Sequence, residues 1–315
     1  VEDTSSRTPY DLSDTKHGTL RIEVEAEADV ADIPWLKAIN LLKEQGYTIE
    51  STSFADLTLA VAAMAAGDLD IASPGSKVAW TAIGKGAPIF TFVDTYANTV
   101  MMVATRDIQT CADLDGKSVA VPGVSAVRTA MVHAFLRENC PDVKPDIVIV
   151  KGGSNRMAAL LSGQVDAAAQ DIDDLIILER EKPGQFHALA VFAQEFPGVQ
   201  TASYLVRREF AEQHPEMVKD VIRALFTARR NLQDPGVLRE AIIKHLDLEP
   251  DEAQRMADAY VAQAIWDASG RYTLEAVQAS IDFFQEYGDF PPGLKAEDVA
   301  DLSYYEAVLD EIGRQ

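Results

Sequence analysis

Short apolar runs and longer 3.6-residue apolar periods take turns along the first two thirds of the chain. TLRIEVE (19–25), YTIEST (47–52), LDIAS (69–73) and IFTFVD (89–94) read as strands, with helical patterns over about 32–45, 56–66 and 76–83 between them. The order then returns. KSVAV (117–121), DIVIV (146–150), VDAAA (165–169) and HALAVF (187–192) are strands between the helical runs SAVRTAMVHAFLREN, SNRMAALLS and DIDDLIILEREK. Such alternation predicts an α/β protein with parallel sheets covered by helices on both faces. DIVIV and LDIAS have the continuous apolar character of strands buried on two sides. From Pro215 to Arg314 the period is helical throughout, punctuated by Pro215, Pro250 and the Pro291–Pro292 pair, and these helices are expected to pack outside one lobe.

The two strand–helix series share a phrase. Residues 62–72 read AAMAAGDLDIA and residues 158–168 read AALLSGQVDAA, ninety-six positions apart. Each copy runs an alanine-rich helix into a glycine (Gly67, Gly163), where a left-handed helix stop belongs, and then into a strand bearing an aspartate (Asp70, Asp166). Two copies at that distance predict two Rossmann-like lobes, joined by two hinge crossings near Tyr96–Thr99 and Pro197–Thr201.

At 315 residues the chain has room for two lobes, each with its own core. No apolar run approaches the eighteen or so residues of a membrane span. Residues 1–17, rich in Ser, Thr and Asp, read as a flexible leader, and no export signal is present in it. The net charge of −22 disfavours nucleic acid and anionic membranes as partners, and a solubilising acidic surface accounts for it. Cys111 and Cys140 fall at the same end of one strand–helix unit. A disulfide closing about thirty residues and a pair of separate buried thiols are both open.

In open α/β sheets ligands sit beyond the carboxyl ends of the strands, where helix N-termini also point. The loops at those ends are 25–35, SPGS (73–76), PGVSAVR (122–128), GGSN (152–155) and QDIDD (170–174), with Tyr96, Asn98, Gln200, Thr201 and Ser203 from the crossings. In PGVSAVR, Ser125 is placed to cap the helix and Gly123 to let backbone N–H groups approach a solute oxygen; a plain helix cap is the alternative. In EAEAD, alternation puts Glu23, Glu25 and Glu27 on one face. If even one of Glu25, Glu27 or Asp29 points inward, the cleft favours a protonated amine or a heterocycle's N–H donors over an anion; an acidic face in water is the alternative. Arg128 is the nearest cation that reverses this sign. Trp35 and Tyr96 are placed to stack on a flat ligand or to join the core. Catalytic patterns are thin: the five histidines are dispersed, no P-loop occurs, and GVSAV lacks the second glycine of a nucleophile elbow. No metal or cofactor is expected.

ADLDGKSVAVPGVSAVRTAMVHAFLREN, GGSNRMAALLSGQVDAAAQD, FADLTLAVAAMAAGDLDIAS and YLVRREFAEQHPEMVKDVIRALFTA together resemble substrate-binding proteins of ABC importers. The branch is the nitrate/sulfonate/taurine-type group, with relatives that bind pyrimidine precursors of thiamine. The resemblance covers roughly residues 17–290 and implies a type II periplasmic binding protein, in which the strand after each crossing joins the lobe just entered. That divides the chain into lobe one (18–97 and 199–315, with the C-terminal helices) and lobe two (98–198). It also implies a monomer in the periplasm or outside the cell, with a lipid tether as an open alternative, delivering a small solute to an ABC transporter permease. By position, Ser73, Ser76, Asn98, Ser125, Ala126, Gln170 and Asp171 match its binding loops. With Glu25, Glu27, Trp35, Tyr96, Arg128 and Thr201 they complete the expected site. The acidic EAEAD stretch departs from anion binders, so a nitrogen-containing or heterocyclic nutrient is the expected solute, ahead of taurine, an alkanesulfonate or another small anion, and an enzyme on the same two-lobed scaffold is the rival class. The clustered cysteines of the eukaryotic pyrimidine synthases are absent.

Overall fold

A computed structural model of the protein describes residues 18–24, 28–54, 57–73 and 75–314. The expected leader and the candidates Glu25 and Glu27 lie outside the described residues. Ten strands are present among them, numbered in chain order. In lobe one these are β1 (Thr19–Glu23), β2 (Thr48–Thr52), β3 (Ile71–Ala72) and β4 (Ile89–Asp94). β5 (Met101–Thr105), β6 (Ser118–Val121), β7 (Asp146–Ile149), β8 (Ala167–Gln170) and β9 (Phe186–Val191) follow, and β10 (Ser203–Arg207) is last.

They form two separate five-stranded sheets, in the orders β2-β1-β3-β10-β4 and β7-β6-β8-β5-β9. The chain leaves the first sheet after β4, enters the second through β5, and returns from β9 through β10. Each sheet is mixed rather than purely parallel. β10 runs antiparallel to β3 and β4, and β5 runs antiparallel to β8 and β9. A strand that enters straight from a crossing makes no helical return, so it must point against its neighbours.

The repeated phrase has one structural meaning in both lobes. Gly67 and Gly163 take φ of +89° and +70° at the ends of helices Leu57–Ala66 and Gly153–Leu161. Asp70 then accepts the Arg21 backbone N–H at 3.1 Å, while Asp166 accepts the Ser118 N–H at 2.8 Å. Each aspartate thus pins its strand to the start of the neighbouring parallel one, and Asp70 gains the guanidinium groups of Arg21 and Arg207 as well.

Cys111 and Cys140 form a disulfide, with Cα atoms 6.0 Å apart, across the ends of one strand–helix unit. The C-terminal helices do not lie on one lobe alone, which corrects the sequence expectation. Helix Pro215–Asn231 packs on Ile33–Glu44 in lobe one, whereas Pro250–Ala262 packs on Ile172–Glu181 and Leu274–Tyr287 packs on Val127–Asn139, both in lobe two. Helix Pro250–Ala262 buries Ala253, Met256, Ala257 and Tyr260, a stripe spaced for a helix partner, and the Tyr260 hydroxyl donates to Asp173 at 3.0 Å. The segment after it is stitched to lobe one and to the first crossing: Trp266 Nε1 donates to the Ala31 carbonyl at 3.1 Å, and Ala97 N donates to the Ile265 carbonyl at 2.7 Å.

Candidate functional site

A cavity of about 540 Å³ lies where the carboxyl ends of the two sheets meet. Lobe one contributes Asp32, Thr58, Ser73, Gly75 and Val78 to its wall. The crossings contribute Tyr96, Thr201 and Ala202. Lobe two supplies the stretch 122–128 together with Ile149, Lys151 and Gly152.

Three helices begin at this wall. Gly75, Ala126 and Gly152 are the caps of helices Ser76–Gly84, Val127–Asn139 and Gly153–Leu161, and none of the three is capped by a side chain. The expectation that Ser125 caps its helix is corrected here. Ala126 holds the cap position with extended backbone, and Ser125 is an exposed wall residue. Helix starts without a side-chain cap present backbone N–H groups and the positive end of the helix dipole to whatever enters.

Polar side chains complete the wall. Thr201 is buried, and its Oγ1 has no hydrogen-bond partner. Tyr96 is half-buried, and its hydroxyl is held in the protonated form well beyond the usual tyrosine range, by burial first and then by Asp29 and Asp32. Arg128 donates to Asp171, whose other oxygen accepts the Thr99 hydroxyl at 2.7 Å.

Behind Arg128 a second cavity of about 630 Å³ collects four carboxyl groups, Asp29, Asp171, Asp173 and Asp174, with Arg128 and Arg156. Burial and then Asp32 push the Asp29 carboxyl well up; burial and then Asp29 do the same to Asp173. Asp174 is pushed up to about 6 by burial and Asp171. Arg156, buried without a carboxylate partner, donates from Nε to the Ala169 carbonyl at 2.9 Å and to Gln170 Oε1 at 3.1 Å. Burial lowers it to about 10. Among the described residues no set of three or more His, Cys, Asp or Glu side chains is arranged to hold a metal ion.

Residues 40–233 match the family model described as NMT1/THI5 like. The chain belongs to the NMT1/THI5-like family. Its sequence is 27% identical over 198 residues to the taurine-binding periplasmic protein of Escherichia coli K12, a match that covers 60% of this chain and 58% of that protein. Among solved structures, the ligand-binding component of an ABC-type import system from Staphylococcus aureus superposes with a TM-score of 0.76 at 14% identity, covering 93% of this chain and 99% of that one. The alkanesulfonate-binding protein of Xanthomonas axonopodis pv. citri gives 0.70 at 19% identity, with 89% and 97% covered. The nitrate-binding protein of Synechocystis PCC 6803 gives 0.74 at 11% identity, with 95% and 90% covered. These neighbours share with the NMT1/THI5-like chain the two-lobed fold of type II periplasmic binding proteins.

Within this family member, Ser73, Tyr96, Ser125, Ala126, Arg128 and Thr201 come together at the first cavity. Asp171 reaches the site only through Arg128. Ser76, Asn98 and Gln170 are buried in internal hydrogen bonds: Ser76 Oγ lies 3.0 Å from Ser203 Oγ, Asn98 Oδ1 accepts from Val100 N at 3.0 Å, and the Gln170 amide donates to the Gly153 carbonyl at 3.3 Å. Trp35 is core. It donates to the Glu23 carbonyl at 3.0 Å and packs on Tyr204 with ring centroids 4.9 Å apart. Lys151 and Thr58 escaped the sequence reading although their positions carried a signal: Lys151 directly follows the DIVIV strand, and Thr58 opens the helix after β2.

Proposed function

We propose that this chain is the extracytoplasmic solute receptor of an ABC importer, capturing a small nitrogen-containing organic solute between its lobes and handing it to a membrane permease. One observation carries the reading. The 540 Å³ cavity is walled from both sheets and both crossings, so a solute inside it touches every part that a hinge motion moves. Closure is then favoured by contacts that exist in the shut state and not in the open one. The relatives named as taurine-, alkanesulfonate- and nitrate-binding support the receptor role over catalysis. A periplasmic or extracellular location accords with the Cys111–Cys140 disulfide. No described helix is long and apolar enough to cross a membrane.

A specific feature supports a second solute class. Three helix starts without side-chain caps suit a sulfonate or carboxylate, while Asp32 and the protonated Tyr96 hydroxyl suit nitrogen donors and acceptors. The two readings meet in a zwitterion with both kinds of group. A thermal-unfolding screen with aminosulfonates, alkanesulfonates, amines and aminopyrimidines tests this. A receptor shows a concentration-dependent rise of the midpoint for a narrow set of solutes, with no turnover of the solute that binds. Absence of any shift, or consumption of the solute, contradicts the reading.

A further inference from the structure

We propose that Glu23 selects solutes bearing a cationic nitrogen by supplying the negative charge that such a group requires, an inference that rests on the receptor reading above. Glu23 ends β1 at the cleft edge of the first sheet and is only 4% exposed. Its Oε2 accepts the backbone N–H of Ser73 at 2.9 Å, and Ser73 is part of the cavity wall.

Glu23 and Asp173 are the two buried carboxylates without an arginine partner among the described residues, and of the two only Glu23 is bonded to the wall of the first cavity, through Ser73. Six carboxylate residues are buried among the described residues. Asp70, Asp171, Asp220 and Glu252 are each paired with at least one arginine. Asp173 takes the Tyr260 hydroxyl and faces the acidic second cavity. Glu23 has one amide and no described cation within salt-bridge distance. Burying a lone carboxylate is costly unless something pairs with it. Holding the Ser73 loop does not require a charge, because Ser76 already donates its N–H to the Thr201 carbonyl at 3.1 Å and its hydroxyl lies against Ser203. The solute is the partner still to arrive.

Burial raises the Glu23 carboxyl and the Ser73 amide lowers it; no charged side chain of β2, β3 or helix Ile33–Glu44 adds a further influence. Across the cavity stand Lys151 and Arg128, and Asp32 lies on the same side. A cationic group placed there favours the ionised carboxylate, so affinity rises with pH through the Glu23 titration.

The test is calorimetric titration of the full chain with taurine and with ethanesulfonate, which lacks the amine, at a series of pH values. The unsubstituted protein should prefer taurine, and that preference should grow as the pH is raised through the carboxyl's titration. Glu23→Gln, which keeps an acceptor for Ser73, should lose about tenfold or more in taurine affinity, converge on ethanesulfonate, and lose the pH dependence of the preference. Retention of the preference and of its pH dependence in Glu23→Gln overturns the proposal. If neither probe binds, native mass spectrometry decides. A retained solute with a cationic nitrogen supports Glu23, and a nitrogen-free or neutral one overturns it with the receptor reading intact. No retained molecule, together with no solute that raises the unfolding midpoint, overturns both.

Discussion

Thr95 in the first crossing donates its hydroxyl to the Ala202 carbonyl in the second at 3.0 Å. The two connections between the lobes are therefore bonded to each other, beside the cavity that Tyr96 and Thr201 line. Arg229 anchors this junction from behind. Fully buried, it donates to Asp94 Oδ1 at 2.9 Å and to the Asp94 and Thr95 carbonyls at 2.5 and 2.8 Å.

Replacing that arginine should be severe. Arg229→Met strands the Asp94 carboxylate in a buried setting and should cost about 3–5 kcal/mol in urea denaturation. A loss under about 1 kcal/mol would mean the junction does not depend on the pair.

Thr201 gives the opposite pattern. Its Oγ1 is buried and bonds to nothing in the protein, so Thr201→Val should change stability by no more than about 0.5 kcal/mol. Solute affinity should drop about tenfold if the hydroxyl bonds a bound molecule. Tyr96→Ala should weaken binding as well while the fold survives. Unchanged affinity in both variants, read by titration, would move the site elsewhere.

The lobes were legible in the sequence because the repeat at 62–72 and 158–168 encodes local structure: a helix, a positive-φ glycine and a pinning aspartate all act within one unit. The crossings were legible for a related reason, since two strand series need two connections. The direction of β5 and β10 was not legible, because it depends on which sheet a strand enters rather than on its residues. The C-terminal helices misled in the same way: an apolar stripe such as Ala253–Met256–Ala257–Tyr260 demands a partner without naming the lobe. Loop position led to four residues of the cavity wall, Ser73, Tyr96, Ser125 and Thr201, but not to the internal bonds that occupy Ser76, Asn98 and Gln170. It named both loops of the acidic cavity, 25–35 and 170–174, but not that Asp29 and Asp173 meet there from opposite lobes, 144 positions apart in sequence.

That cavity makes stability depend on pH. Asp29, Asp173 and Asp174 are all raised in the folded state, so the native protein holds more protons than the unfolded chain. For Asp174 the contribution is complete below about 3.8 and is lost as pH rises through about 6; Asp29 and Asp173, raised as well, act with the same sign. The melting midpoint should fall as pH rises from about 4 to about 6, and Asp173→Asn should flatten that slope while keeping an acceptor for Tyr260. A midpoint that rises over this interval, with no response to the substitution, would contradict the sign.

The disulfide is a separate contribution. Cys111 and Cys140 are 29 positions apart, a closure worth about 3–4 kcal/mol in the chain-entropy model. The double Cys→Ser variant should lose that much on denaturation and still bind solute, because the bridge lies at the end of lobe two away from the cleft loops. Equal stability with and without the bond would contradict it.

Gently purified protein, sprayed intact for native mass spectrometry, interrogates the central idea most directly. A single small molecule per chain is predicted, released on unfolding and absent from the Tyr96→Ala/Thr201→Val variant. A solute retained equally by that variant, or held by the chain after it unfolds, would show that the seam between the sheets is not where capture occurs.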